Sequence, residues 1–197
     1  MERAVAMTGI GGQGIQLIAK LLAQAAMREG RQVMMFGLFM GMIRGGSSES
    51  TVVIADRDIL SPPIVPRVWA VLAMHAEGLP ALARKAEPGG VLVFNSNLVM
   101  PPPAWEGVRR IAVPATELAK AMGQPMGASM IALGALAAAT GLAGVASLHA
   151  ALGEVLPPHR RKLIDTNALC ITRGAEHVAA ADGVPAWGRA SAGVTRR

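Results

Sequence analysis

Six residues near the N-terminus constrain the fold more than any other feature. Gly9, Ile10, Gly11, Gly12, Gln13 and Gly14 match G-x-G-x-x-G. The pattern falls where a short apolar run, Arg3 to Thr8, gives way to a helical one, Ile15 to Arg28, with Leu17, Ile18, Leu21, Leu22 and Ala25 on one face. Glycines there permit a tight turn and let backbone amides approach a phosphate. The helix N-terminus adds unpaired N–H groups and a partial positive charge at the same point. The N-terminal segment therefore reads as a Rossmann-like β-loop-α unit. Gly30 ends the helix and Gln32 to Phe36 forms a second strand, which this order places in a right-handed parallel crossover.

Dinucleotide binding on such a unit needs an acidic residue at the end of the second strand, about 20 residues beyond the loop, to hold the ribose hydroxyls. None is there. The strand ends in Val33, Met34, Met35, Phe36 and Gly37, and Glu29 precedes it. Two roles stay open for the loop: holding a phosphate, or letting strand and helix pack closely.

The same rhythm continues. Thr51 to Ala55 alternates as a strand, Ser61 to Pro66 is too proline-rich to extend one, and Val68 to Met74 is a buried strand. A helix over Leu79 to Ala86, a turn at Pro88, Gly89 and Gly90, and strands over Val91 to Asn95 and Arg109 to Val113 follow. From Ala115 onward the pattern is helical, with Thr116 as an N-cap and a last helix between Pro158 and Ala181. The fold class is α/β: a three-layer α/β/α arrangement around an open, mostly parallel sheet, with a helical C-terminal part. Residues 1–182 form one domain and Gly183 to Arg197 a flexible basic tail.

Composition narrows the chemistry. Of 197 residues 52% are hydrophobic but only 3% aromatic, so Ala, Val, Leu, Ile and Met must fill the interior. The formal net charge of +6 favours anionic partners. Yet the one dense basic cluster, His159, Arg160, Arg161 and Lys162, lacks interleaved aromatics, and no nucleic-acid role is expected. Cys170 stands alone in an apolar stretch, so no disulfide, structural zinc or iron–sulfur cluster can be built from cysteines; a buried thiol is expected. Gly127 to Gly153 carries no Asp, Glu, Lys or Arg, but it is rich in Ala and Gly, and two buried helices broken near Gly141 and Gly144 fit it better than a membrane span. Without a signal-peptide pattern the expected location is cytoplasmic. His75, His149, His159 and His177 are scattered, and no catalytic or metal-ligating set emerges.

A second glycine motif, Arg44, Gly45, Gly46, Ser47 and Ser48, combines a guanidinium, flexible amides and hydroxyls. Those groups suit an anion, and equally an ordinary turn before the strand near Thr51. With both motifs in view the chain resembles the gamma subunit, or gamma domain, of the pyruvate and 2-oxoacid:ferredoxin (acceptor) oxidoreductase family. Gly9 to Ile15 resembles its G-x-G-G-Q-G-[IV] opening, Arg44 to Ser47 its R-G-G-x-S loop and Ile59 to Pro62 its I-x-S-P segment. Gly127 to Gly134 resembles its small-residue helix start, and Asn167 with Gly174 a late N-x-x-A-x-x-x-G-like pattern. Trp69 stands where many relatives have Asp, and Ser129 where Asn is common.

The resemblance implies a share in the CoA-dependent oxidative decarboxylation of a 2-oxoacid to an acyl-CoA, carbon dioxide and a reduced acceptor. It places thiamine diphosphate, Mg and iron–sulfur clusters on alpha, beta and ferredoxin-like partner subunits, with CoA as co-substrate and no cofactor on this chain alone. The isolated chain is expected to be inactive. Gly9, Gly11, Gly12, Gln13 and Gly14, with Arg44, Gly45, Gly46 and Ser47, form the expected CoA-phosphate or interface loops. Two alternatives remain: an NAD(P)-dependent dehydrogenase using the glycine loop, and a stand-alone nucleotide- or CoA-binding protein.

Overall fold

The computed structural model describes residues 1–39, 46–62, 64–100 and 105–179. The strands are β1 (Glu2–Ile10), β2 (Gln32–Phe39), β3 (Ser47–Ala55), β4 (Val68–Ala73), β5 (Ala86–Asn95) and β6 (Arg109–Val113). The helices are α1 (Ile15–Arg28), α2 (Leu79–Ala83), α3 (Ala115–Ala121), α4 (Ala128–Thr140), α5 (Val145–Val155) and α6 (Ile164–Ala179). The strands form one sheet in the order β2-β3-β1-β4-β5-β6. β1, β4, β5 and β6 pair in parallel, and β3 pairs antiparallel with both β1 and β2. Because β2 opposes β3, it points the same way as β1, and only β3 runs against the rest.

Strand alternation divides the interior in two. Val5 and Met7 of β1, Val52 and Ile54 of β3 and Val91 and Val93 of β5 face a large core built with α1, α3, α4, α5 and α6. Ala6, Val53, Val71, Leu92 and Phe94 face the other side, where α2 supplies Leu79 and Leu82. The three layers are therefore unequal, with nearly all the helical mass on one face. Arg3 closes the lower end of that larger core, its guanidinium lying 4.7 Å from the centroid of the Trp69 ring.

Several sequence expectations need correction. β2 does not sit beside β1, because β3 is inserted between them, with Glu2 paired to Ala55 and Ile10 to Ser47. β3 begins at Ser47 rather than Thr51: its polar first half is strand because it is hydrogen-bonded on both sides, not because its side chains are apolar. Pro88, Gly89 and Gly90 lie within β5 rather than forming a turn before it. The register slips there, from Val68↔Ala86 to Ala70↔Val91, and Gly89 adopts φ +77°. α2 ends at Ala83, three residues earlier than expected. Thr116 is not an N-cap; Pro114 holds that position, and Thr116 is engaged by Asn95 instead.

The charge-free stretch forms two helices, α4 and α5, separated at Gly141 in a left-handed conformation and at Gly144; α4 is buried almost throughout, but α5 buries only Leu148, Ala151 and Leu152 and exposes Ala146 and Ala150, so the expectation of two buried helices holds for the first alone. Among the described residues no helix is long and apolar enough to cross a membrane. α6 is preceded by a 3₁₀ turn over Pro158–Leu163 that carries the basic cluster, all of it exposed. The tail expected from Gly183 lies outside the described residues.

Candidate functional site

A pocket of about 470 Å³ opens at the carboxyl ends of β1, β4 and β5. Ligands of open α/β sheets bind at such strand ends. Its near wall is the glycine loop, with Gly12, Gln13, Gly14 and Leu17; its floor includes Met74 and Asn95. Its far wall comes from the starts of α4 and α6, with Gly127, Ala128, Ser129, Thr166 and Asn167, and Arg160 stands at the side. The first turns of α1, α4 and α6 thus share one cavity, and their dipoles make it favourable to negative charge.

The loop geometry follows from its glycines. Gly12 and Gly14 adopt φ +94° and +75°, which other residues rarely enter, and Gly14 serves as the N-cap of α1 with no side chain capping it. The Gln13 side chain turns back: its Oε1 accepts from Ile10 N–H at 2.9 Å and its Nε2 donates to Met74 O at 3.4 Å. Gln13 therefore ties the ends of β1 and β4 together. Gly9 is buried at the end of β1, where a Cβ would run into Gln13 and Ile15.

Gly11 N–H donates to Gly46 O at 2.9 Å, so the two glycine motifs meet across the β1–β3 junction. Ser47 is the first residue of β3, opposite Ile10, rather than part of a free loop. Arg44 and Gly45 lie outside the described residues. Of the expected site residues, Gly12, Gln13 and Gly14 line the pocket directly, while Gly9, Gly11, Gly46 and Ser47 do not.

The far wall was not named among the candidate residues. Asn95 is fully buried and holds the start of α3, its Nδ2 donating to Thr116 Oγ1 at 2.9 Å and its Oδ1 accepting from Thr116 N–H at 3.4 Å. Ser129 is 6% exposed, and a Cβ placed on Gly14 would lie 3.3 Å from its Oγ. Small-residue patterning around Gly127 to Gly134 and at Asn167 marked these stretches without revealing that they face the glycine loop. Leu98, Met126 and Leu163 also line the pocket while exposing 46%, 83% and 39% of their surface, so the pocket has an apolar rim.

Among the described residues no histidine, cysteine or carboxylate lines the pocket, although His75 directly follows Met74 of its floor. His149 Nε2 and Thr172 Oγ1 are 3.2 Å apart between α5 and α6, and His177 Nε2 is 3.2 Å from Ala112 O. His159 is exposed. Cys170 is buried against Gly127, and burial pushes its thiol above the ordinary cysteine value. Among the described residues no three His, Cys, Asp or Glu side chains gather as a metal site. With Cys170 as the sequence's single cysteine, the chain has no cysteine set for an iron–sulfur cluster. What the pocket offers is binding and orientation of an anion with an apolar neighbour.

The dinucleotide reading fails on topology as well as on the missing acid. Next to β1, where a ribose-binding residue would end a parallel strand, β3 runs the opposite way and presents Ser47 and Ser48.

Comparison with known proteins places this geometry. The chain is 32% identical over 180 residues to the ketoisovalerate oxidoreductase subunit VorA of Methanothermobacter thermautotrophicus, covering 89% of this chain and 36% of that protein. It thus spans about a third of that relative's length. A keto/oxoacid ferredoxin oxidoreductase gamma subunit from Geobacter sulfurreducens superposes with a TM-score of 0.76 at 27% identity, covering 90% of this chain and 99% of that one. A 2-oxoglutarate:ferredoxin oxidoreductase from Magnetococcus marinus, solved with 2-oxoglutarate, coenzyme A and succinyl-CoA bound, shares the fold with a TM-score of 0.82 at 22% identity, over 93% of this chain and 32% of that one. These relatives support neither a free dehydrogenase nor a stand-alone nucleotide-binding protein. The family description "Pyruvate ferredoxin/flavodoxin oxidoreductase" matches residues 4–177, from β1 to α6, and the chain belongs to that family.

Proposed function

We propose that the chain is the gamma-type subunit of a 2-oxoacid:ferredoxin (acceptor) oxidoreductase, and that it holds the phosphate-bearing end of CoA for the catalytic subunits. The reaction is the CoA-dependent oxidative decarboxylation of a 2-oxoacid, yielding an acyl-CoA, carbon dioxide and reduced acceptor. Thiamine diphosphate with its Mg and the iron–sulfur clusters then belong to alpha, beta and ferredoxin-like partner subunits in the cytoplasm. Those groups supply carbanion stabilisation and electron transfer.

The observation that carries this reading is the convergence of three helix N-termini on one pocket at the strand ends, in a chain of this family. CoA is polyanionic. Backbone amides of the Gly12 to Gly14 loop and the dipole of α1 favour its phosphates. Arg160 at the side, and Arg44 in the segment after β2, add guanidinium groups suited to phosphate oxygens. The apolar rim of Leu98, Met126 and Leu163 suits a neighbouring subunit or the less polar arm of CoA. In this role the chain binds and orients the phosphate end.

The test is tagged purification from the native cell. Co-purification with a thiamine diphosphate subunit and a brown iron–sulfur subunit, together with CoA-dependent acceptor reduction by a 2-oxoacid, is expected. A chain that emerges alone and colourless under gentle conditions refutes the assembly. Arg44→Ala in the assembled enzyme should raise the apparent KM for CoA, and an unchanged KM removes Arg44 from the site.

A further inference from the structure

The two edges of the sheet are built differently. β6 has five residues, carries Arg109 and Arg110, and is met by α6, whose His177 Nε2 stands 3.2 Å from Ala112 O. Short length and charge are among the usual means of keeping an edge from pairing with another chain. β2, at the opposite edge, has neither. It runs for eight residues, Gln32 to Phe39, without a charge or a proline, and the charges before it, Glu29 and Arg31, are paired with each other at 3.7 Å. Among the described residues β3 is its single neighbouring strand. Val33, Met34, Met35 and Phe36 are all half-buried, so an apolar strand edge is open to solvent.

What covers such an edge follows from α1, which lies over β2 and β3. Gln16 marks the flank of α1 nearest the edge: its Nε2 donates to Glu49 O at 2.9 Å, and a Cβ on Gly37 would meet its Oε1 at 2.6 Å. Lys20, Ala23 and Met27 follow Gln16 at three- and four-residue steps and share that flank. Gln24 and Arg28 turn to the other flank, where both bond Glu154 of α5. Met27 leaves 50% of its surface exposed, and Ala23 has no long side chain to keep a second helix away.

We infer that a second copy of this chain docks on β2, strand against antiparallel strand, to form one continuous sheet. The two-fold axis of such a pair stands perpendicular to the sheet, so both α1 helices fall on the same face. Strands are about 4.8 Å apart, which puts an α1 lying above the β2–β3 gap about 5 Å from that axis. The two helices are then about 10 Å apart, the separation of packed helices. They run antiparallel, with Ala23 at the close approach and Met27 covered, while the Lys20 stem turns outward with its ammonium in water. A lone strand from another protein would satisfy the edge of β2 and leave Met27 exposed. A symmetric pair covers both.

The full-length chain is studied alone, so the result does not depend on CoA or on other subunits. Sedimentation equilibrium is expected to give twice the mass of one chain at micromolar concentration. On dilution, amide exchange followed by mass spectrometry should accelerate in β2 and stay unchanged in β6. Met34→Lys on the strand and Met27→Lys on α1 each add positive charge at the contact, and each should raise the dissociation constant at least about tenfold. Circular dichroism shows which variants are folded, and the exchange data on the native chain need no variant. A chain that stays monomeric at millimolar concentration overturns the inference. So does a dimer whose β2 amides exchange at the same rate after dilution, or folded variants that dimerise as tightly as the native chain. A native assembly that holds a single copy of this chain, with β2 protected by a different subunit, overturns it as well.

Discussion

Replacing Gly174 with Ala would force apart the two helices that close the pocket. A Cβ at Gly174 would lie 2.7 Å from the carbonyl carbon of Ile131 and 3.0 Å from Ala135 N, with the Ile131 oxygen closer still. The contact is reciprocal, because a Cβ at Gly134 would lie 2.7 Å from the carbonyl carbon of Ile171. Ordinary carbon–carbon contact is about 3.5 Å, so α4 and α6 must separate by about 1 Å. The obstructing atoms are backbone, and no rotamer change can move them.

Overpacking of this kind costs about 1–3 kcal/mol, and the rigid partners put it at the upper end. The better helix propensity of Ala returns about 1 kcal/mol. A net loss of about 2 kcal/mol remains, which for a chain of this size lowers the melting temperature by about 4–8 °C. Differential scanning calorimetry measures it. Gly153→Ala is the control of opposite sign. A Cβ there meets nothing within 4 Å inside α5, so the same substitution should stabilise by up to about 1 kcal/mol. A Gly174→Ala chain that melts at or above the native temperature refutes the close backbone contact.

Other outcomes test other parts. Gly14→Ala should lose about 1–2 kcal/mol in urea unfolding, since Gly14 is held at φ +75° and its Cβ would press on Ser129. Cys170, whose thiol burial pushes upward, should resist a maleimide reagent at pH 8 in the folded chain and react once urea unfolds it. The Glu2 carboxylate is held below its ordinary value by the Ser61 side chain and by N–H groups including that of Leu60, which it meets at 3.0 Å. Its contribution is present at neutral pH and lost as pH falls below about 4, so amide exchange at Leu60 and Ser61, relative to the intrinsic rate, should accelerate there and in Glu2→Gln at neutral pH.

The local parts of the fold were legible in the sequence where the local signal is strong. The bounds of α1 and β6 match their expected ranges, because apolar periodicity and flanking glycine or proline fix both. β3 could not be read the same way. Its first residues, Ser47 to Ser50, are polar, and they become strand only through partners that lie about 40 residues away in β1 and about 10 away in β2. The bulge at Pro88 to Gly90 resembles a turn in composition, yet Gly90 fits against the Trp69 carbonyl inside a strand pair. The near wall of the pocket was legible as a glycine motif. The far wall was not, since Ser129, Thr166 and Asn167 become neighbours of that motif only when α4 and α6 dock.

That assembly of the pocket from distant stretches of chain has a consequence during synthesis. β1 lies between β3 and β4, so the first strand made waits for sequence up to Ala73 before both its edges are covered. The cavity waits longer. Its walls join Gly12 to Asn167, and α6 leaves the ribosome after every strand has done so. A nascent chain can thus complete its sheet while it still lacks one side of the ligand cavity, and ligand capture reports that the last described helix has docked.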